Sequence, residues 1–551
     1  RERVNTSDKF VTVAIDSPVD FDTFANLQLA TNTQDYQKFT VRERANAEYI
    51  LQPAGYTALA GDATFANGRV AALQGGAGCP VKLGASANGS DDDSVFINSC
   101  IQRYGYADLK DNSFALFQQL VSDDDGQAII GHGSSLAKLI VKSNPAGAYI
   151  KAAKASGPLR GFNLTGFTVY TDLSTAAQTS VEMDGVRNFT INDVIIDRGL
   201  KGFHFLGCSQ GNIDNTLVIF ENTNGGVTTN RKYIQIEETA NANIVTKHCG
   251  DLFFSNFNGR CGGTSYTDIG IEINSGDGIW FNNYHIGNCL TANLLIDANS
   301  TIRCTGMKFS DGWHDIGEGK GTDIKGTAPS LIGDYNFSSV KHLGAGIGNI
   351  GMEITGSAKN IVVDGADAIF TGYQNEGVLI NVNFTGDARI SAKVHGNSLV
   401  GSGVKDGIKD ESGTGRVTIK DCEIQGVNHR WHVNAQLSKP NLTISNNDVS
   451  INTGTSGNIT YVDNAGIRVQ NNKGFNPVGA LSPAVLASPW TITNNKGFDW
   501  QLAVHGGTGV SFVLNGTSMH SSRSDGVFTI PIGGSLIITY TTAPFVYGFG
   551  M

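Results

Sequence analysis

Two short phrases recur along most of this chain, and they restrict its fold more than any other feature. One is Asn-apolar-Thr, at Asn163-Leu164-Thr165, Asn188-Phe189-Thr190, Asn383-Phe384-Thr385, Asn441-Leu442-Thr443 and Asn458-Ile459-Thr460. The other is apolar-x-apolar after Gly, at Gly202-Phe203-His204-Phe205, Gly270-Ile271-Glu272-Ile273, Gly351-Met352-Glu353-Ile354 and Gly377-Val378-Leu379-Ile380. Strand signals that return roughly every 20–30 residues predict the coils of a β-solenoid. Coils stacked at ~4.8 Å, about ten to twelve of them, make a rod of roughly 50–60 Å.

Composition fits such a rod. Of 551 residues 69 are Gly and only 12 Pro, which suits tight corners rather than a disordered Pro/Gly-rich chain. Charged residues are 16%, below the usual ~25%. A net charge of -10 argues against a nucleic-acid partner, which calls for a basic face. No apolar run reaches the ~18 residues of a membrane span. The eight cysteines contain no CxxC; the nearest cluster, His248, Cys249 and Cys261, reads as buried thiols, so neither metal nor cofactor is expected, and assembly in a reducing cytoplasm is. The chain opens on Arg1 without a signal region, which predicts a fragment whose upstream part is missing.

Three segments are expected. Residues 1–78 read as an elongated linker with alternating Val11, Val13 and Ile15. Residues 79–485 read as the solenoid, with a helix at 91–104 covering its open first coil. Ser90 is the N-cap candidate there, Asp91, Asp92 and Asp93 sit at the positive end of the helix, and Phe96/Cys100 and Ile97/Ile101 repeat at i,i+4. Residues 486–551 read as a C-terminal β module whose apolar Phe545, Val546, Tyr547 and Phe549 suit burial against another subunit or within the chain. The fold class is all-β.

The stretch from Val81-Lys82-Leu83-Gly84-Ala85 through Asp91-Asp92-Asp93 to Ile97 and Ile101 resembles the opening of pectate-lyase-like right-handed parallel β-helices. Gly131-His132-Gly133 with Leu136 and Ile140 resembles their first coil, and residues 43–73 resemble the linker of bacteriophage tailspikes, such as those of Acinetobacter phages. The resemblance implies a homotrimeric spike on the virion tail that degrades capsular or other surface polysaccharide of a bacterium. It also implies a head-binding domain that nothing here matches.

Glycoside hydrolysis needs two carboxyl groups and favours aromatic platforms for sugar rings. The densest such region is 270–318. Alternation turns Glu272 outward between Ile271 and Ile273, Asp277 falls in a turn, Asp311 at a strand end, and Gly312-Trp313-His314-Asp315 reads as a projecting turn. Glu272, Asp277, Asp311 and Asp315 are therefore the catalytic candidates, with Trp280, Trp313, His314 and Tyr284 binding sugar. Glu237 with Glu238, or Asp406, Asp410 and Glu411, are alternative patches. A lyase would instead need a base such as Tyr284, His285, Lys308 or His314, and a non-catalytic receptor-binding spike would need none. Gly346-Ile347-Gly348-Asn349-Ile350-Gly351 spells a dinucleotide fingerprint in letters only, because strand-like Met352-Glu353-Ile354 follows it instead of a helix.

Overall fold

Inward apolar and outward polar residues alternate coil after coil, and the result is an all-β chain wound as a parallel β-solenoid of about 12 turns. The structure, a computed structural model, describes residues 2–6, 9–13, 19–28, 38–41, 44, 47–58, 62–74, 78–172, 178–221, 230–262, 267–298, 303–316, 319–326, 332–344, 350–365, 367–373, 375–395, 406–426, 429–437, 439, 441–451, 456–462, 466–475, 483–496, 498–520 and 525–550. Most of the letters of the dinucleotide decoy lie outside these residues. By internal packing the chain forms two units, residues 1–224 with 239–247, and residues 225–238 with 248–551.

The first unit begins with an antiparallel pair, Glu2–Thr6 and Lys9–Val13. Residues 19–74 then build a five-stranded sheet rather than an extended lead-in. Phe39, Val41, Tyr49 and Leu51 alternate to one side of their strands and are fully buried with Leu27 and Phe65, so they demand a covered face. The capping helix spans Ser94–Tyr104, three residues shorter than expected, because Asn88–Asp92 is extended and pairs in parallel with Ser113–Leu116. Asp93, not Ser90, stands at the helix start. Its carboxylate accepts from Ser86 N (2.7 Å) and Ala115 N (3.4 Å), tying the helix to the first coil. Ile97, Cys100 and Ile101 are its buried face. Beyond it Asn163–Thr171 pairs in parallel with Val186–Asp197, and Ile150–Ala153 with Thr179–Asp184. The two long strands turn at Gly166 and Asp193, and the next coil turns at Asn215 between Ser209–Asp214 and Leu217–Glu221; the three sit at φ 69°, 52° and 49°. Only Gly and short polar side chains visit that left-handed region readily.

The second unit repeats one plan. A flat wall of parallel strands runs in order from Lys232–Glu237 through Thr267–Ile273, Cys289–Asp297, Lys320–Lys325, Met352–Ile354, Val378–Ile380, Asp406–Asp410 and Trp431–Ala435 to Gly457–Tyr461. Between them run bent strands such as Gly276–Gly287 and Cys304–Ile316, which turn at Asn283 (φ 49°) and Asp311 (φ 52°). Inside, Phe254, Phe281, Phe309 and Phe337 stack one per coil with ring centroids 4.2, 5.6 and 5.0 Å apart. Near the far end buried asparagines take over the corner. Asn447 accepts from Cys422 N (2.9 Å) and donates to Ile419 O (3.1 Å), while Asn472 does the same work one coil on. Replacing Asn447 with Ala strands those buried backbone groups, at about 1–3 kcal/mol each. A lower thermal midpoint is the expected result, and an unchanged one would show that the asparagine rung is dispensable.

The chain ends in a β-sandwich. A four-stranded antiparallel sheet (Trp490–Thr493, Ser535–Thr539, Ser511–Leu514, Thr517–His520) faces a three-stranded one (Gly526–Ile530, Trp500–His505, Phe545–Gly550). Trp490, Phe498, Trp500, Leu502, Phe512, Phe528 and Ile538 fill the space between them. No helix among the described residues is long and apolar enough to cross a membrane.

Candidate functional site

The second unit holds every residue singled out between 270 and 318 that the structure describes. Glu272 does point outward between fully buried Ile271 and Ile273, yet it is only 9% exposed. The Lys232 ammonium pairs with it, and Gln235 donates to it at 2.8 Å. Asp277 opens the strand Gly276–Gly287 and meets Arg303 at 2.6 Å. Asp311 is the corner residue itself. Asp315 takes a 2.7 Å contact from His285 Nε2. Register separates the four. Asp277 lies opposite Thr305, six residues before Asp311 on the next strand, on the order of 20 Å of extended chain. Glu272 is on the flat wall. No two of them are set side by side as an acid pair.

The reading of Gly312-Trp313-His314-Asp315 as a projecting turn is corrected. These residues continue the strand in register with Tyr284, His285, Ile286 and Gly287. The corner at Asp311 uses up one residue, so alternation restarts with Gly312 inward, Trp313 outward and His314 inward. His314 is 0% exposed and Tyr284 2%, so neither side chain presents a platform for a sugar ring. They form a core network instead: Tyr284 Oη to His314 Nε2 at 3.0 Å, His314 Nδ1 to Thr322 Oγ1 at 3.2 Å, Thr322 Oγ1 to His342 Nε2 at 2.9 Å. Burial brings the His314 pKa down to about 3, takes His342 well below the usual imidazole range and pushes Tyr284 well above the usual phenol range. Trp280 and Trp313 remain near half exposed, and Trp280 meets Phe253 edge-on at 4.7 Å.

Carboxyl groups do converge farther along the flat wall. Val378–Ile380, Asp406–Asp410 and Trp431–Ala435 are consecutive rungs, with Leu379, Lys409 and Asn434 in one column. Beside that column is a hollow of about 400 Å³ lined by Val382, Lys409, Asp410, Glu411, Arg430, Asn434, Gln436 and Leu437. Lys409 Nζ lies 2.6 Å from Glu411 Oε1 and 3.8 Å from Glu376 Oε1, so the two carboxyl oxygens are no farther apart than those distances together. Glu376 is largely covered and Glu411 partly open. Burial raises the Glu376 pKa against the pull of Lys409, and Asp406 and Glu411 push the same way as burial.

Neighbouring groups hold the hollow rigid. Arg430 forks onto Asp406 (3.1 and 2.7 Å), which also accepts from Asn434 Nδ2 at 2.6 Å. Asp410 pairs with buried Lys439 and accepts from Ser412 Oγ at 2.7 Å. Asp406, Asp410 and Glu411 stand out in the sequence as an acidic patch; Glu376 does not, because it sits in the turn before a strand, where periodicity assigns no facing. The available signal was Gly377-Val378-Leu379-Ile380, whose preceding residue falls at the wall's edge one rung from Lys409. Among the described residues no group of His, Cys, Asp and Glu suits a metal ion.

No protein-family model matches this chain, and no curated protein does. Solved structures do. Tailspike protein 2 of an Escherichia coli O157:H7 bacteriophage is 13% identical with a TM-score of 0.45, covering 97% of this chain and 77% of that one. A mannuronan C-5 epimerase A-module from Azotobacter vinelandii is 12% identical with a TM-score of 0.45, covering 73% of this chain and 100% of that one. The Streptococcus pneumoniae surface adhesin PfbA is 11% identical with a TM-score of 0.40, covering 72% and 99%. The structures similar to this chain thus include a phage tailspike, an epimerase module and an adhesin, and activity does not transfer from any of them at such identities.

Proposed function

We propose that this protein is a tailspike-type depolymerase that binds a bacterial surface polysaccharide and cleaves it by glycoside hydrolysis in the hollow beside Lys409. The observation that carries this reading is the carboxyl pair Glu376 and Glu411 in unlike surroundings, both within reach of the Lys409 ammonium. Burial raises the pKa of the covered carboxyl, which suits it to serve as acid; the more open one serves as nucleophile or base. Glu376 gives its proton to the glycosidic oxygen as the C–O bond breaks, and Glu411 attacks the anomeric carbon. Water activated by Glu376 then releases the sugar. The contacts of both Oε1 atoms with one ammonium keep the pair close, which favours the retaining arrangement in this reading; the anomeric configuration of the first product, followed by NMR, tests it, and an inverted product would make Glu411 a base instead.

Glu272, Asp277 and Asp311 serve structure in this reading, as an ion pair, an ion pair and a corner. The test is incubation with a panel of purified capsular polysaccharides, followed by size-exclusion chromatography and product analysis. Shorter chains with saturated reducing ends are expected. Unsaturated, ultraviolet-absorbing ends would move the chemistry to a lyase base such as His285, and binding without shortening would leave a receptor-binding spike.

The same reading includes a homotrimer on a phage tail, acting outside the bacterium. Support for self-association comes from the three-stranded C-terminal sheet, where Val527 and Tyr547 flank Ala503 in one row and Phe545 lies beside them; Val527, Phe545 and Tyr547 are each more than half exposed. A mass of three chains that survives mild detergent is the expected result of light scattering; a monomer would exclude it.

A further inference from the structure

A second feature lies on the bent wall, away from the hollow. Asn258, His285, Trp313 and Lys341 occupy one outward column on four successive coils. At ~4.8 Å per coil the column is about 14 Å long. It borders a concavity of about 460 Å³ lined by Asn256, Phe257, Asn258, Asn283, Tyr284, His285 and Trp313. Trp313 is 45% exposed, with Lys341 Nζ 4.9 Å over its ring and His285 edge-on at 6.5 Å. Asp315 holds the imidazole through Nε2. The Asn258 carboxamide oxygen is enclosed and has no hydrogen-bond partner among the described residues. An enclosed acceptor without a donor costs free energy that a ligand hydroxyl would relieve.

Charge narrows the ligand. Some cations of this unit are paired, Arg303 with Asp277, Lys320 with Asp323 and Glu353, Lys409 with Glu411; others, such as Lys359 and Lys393, have no ion pair among the described residues but stand beside no exposed indole in the register. Lys341, and Lys308 beside Trp280 in the register, have no ion-pair partner among the described residues. Two such cations flanking two half-exposed indoles fit a polymer that carries carboxylates on its sugar rings.

We propose that this groove is a non-catalytic holding site for an acidic glycan, with a pyranose ring on Trp313, its hydroxyls on Asn258 and His285, and its carboxylate on Lys341. The proposal goes beyond the cleavage reading and stands without it, because the groove shares no residue with the hollow.

The experiment is affinity electrophoresis of the full chain in gels containing a glucuronic-acid-rich capsular polysaccharide, or the same polymer after carboxyl reduction. Retention by the native polymer is expected to weaken at least tenfold in Trp313→Ala and in Lys341→Ala, and on carboxyl reduction. Trp313 is nearly half exposed and Lys341 partly so, and neither belongs to the buried core, so the variants should fold, which circular dichroism checks. Glu376→Gln should lose cleavage and keep retention, separating failure of one reading from failure of the other. Retention unchanged in both groove variants, equal retention of the carboxyl-reduced polymer, or no retention of the wild-type chain overturns the proposal.

Discussion

Glu376→Gln is expected to slow polysaccharide cleavage by about 10²–10⁴-fold, the range over which a positioned general acid contributes. Glutamine keeps the size and the polar contact to Lys409 and removes only the transferable proton. Glu411→Gln should be at least as damaging, because it removes the group that attacks or activates water. Lys409→Met tests the electrostatics separately. Lys409 is the main influence holding the Glu376 pKa down against burial, so its loss should extend activity to higher pH, where the wild-type acid has already given up its proton. Asp277→Asn and Asp311→Asn, which alter an ion pair and a corner, should leave the rate within a few-fold. A Glu376→Gln enzyme as fast as wild type, or one silenced equally by Asp277→Asn, contradicts this assignment. The readout is initial rate by reducing-end assay.

The second large effect is loss of stability in mild acid. His314 is buried and neutral against Tyr284, Thr322 and His342, with Phe370 stacked on His342 at 4.4 Å; among the described residues burial, helped by His285, lowers its pKa and outweighs the Gly321 backbone and Asp315, which pull it up. Its folded pKa is depressed from the unfolded value of 6.5 to about 3, so protons favour the unfolded chain. The contribution is therefore whole above pH 6.5 and is lost as the pH falls toward 3. That difference corresponds to something on the order of 5 kcal/mol for His314, with His342 acting in the same direction. Paired carboxylates such as Glu182, held down to about 2, lose their contribution only at lower pH. Between 6.5 and 4.5 such paired carboxylates are silent, and comparison with a variant lacking His314 isolates the histidine contribution from that of a raised carboxyl such as Glu376. Thermal midpoints should fall steeply there in the wild type and far less in a Tyr284→Phe, His314→Leu variant, whatever that variant's midpoint at pH 7. Equal slopes would show that the core histidines do not titrate on unfolding.

How much of this was legible in the sequence depends on the kind of signal. The solenoid was legible because period and alternation are linear: Gly270-Ile271-Glu272-Ile273 and Gly351-Met352-Glu353-Ile354 occupy the same wall, as their shared phrase implies. Even so, Asn383-Phe384-Thr385, spelled like the others, is a turn in which Phe384 is buried and its N–H bonds to Asn381 O at 2.9 Å. Corners broke the reading at close range. One left-handed residue at Asp311 reversed which of Trp313 and His314 faces solvent, and no propensity marks that reversal. The lead-in was misjudged because Phe39, Val41, Tyr49 and Leu51 signal a buried face without signalling what covers it. Glu376 and Glu411 meet through two different coils, 35 residues apart, and only the winding of the chain brings them to one lysine.

A crystal structure of the Glu376→Gln protein with a bound oligosaccharide of the polymer it cleaves would decide between these possibilities. The expected complex has a sugar ring in the hollow between Val382 and Leu437, its glycosidic oxygen within about 2.6–3.2 Å of the side chain at 376 and its anomeric carbon facing Glu411. An oligosaccharide whose scissile bond lies on the bent wall beside His285, or between two copies of the chain and far from Lys409, would contradict it.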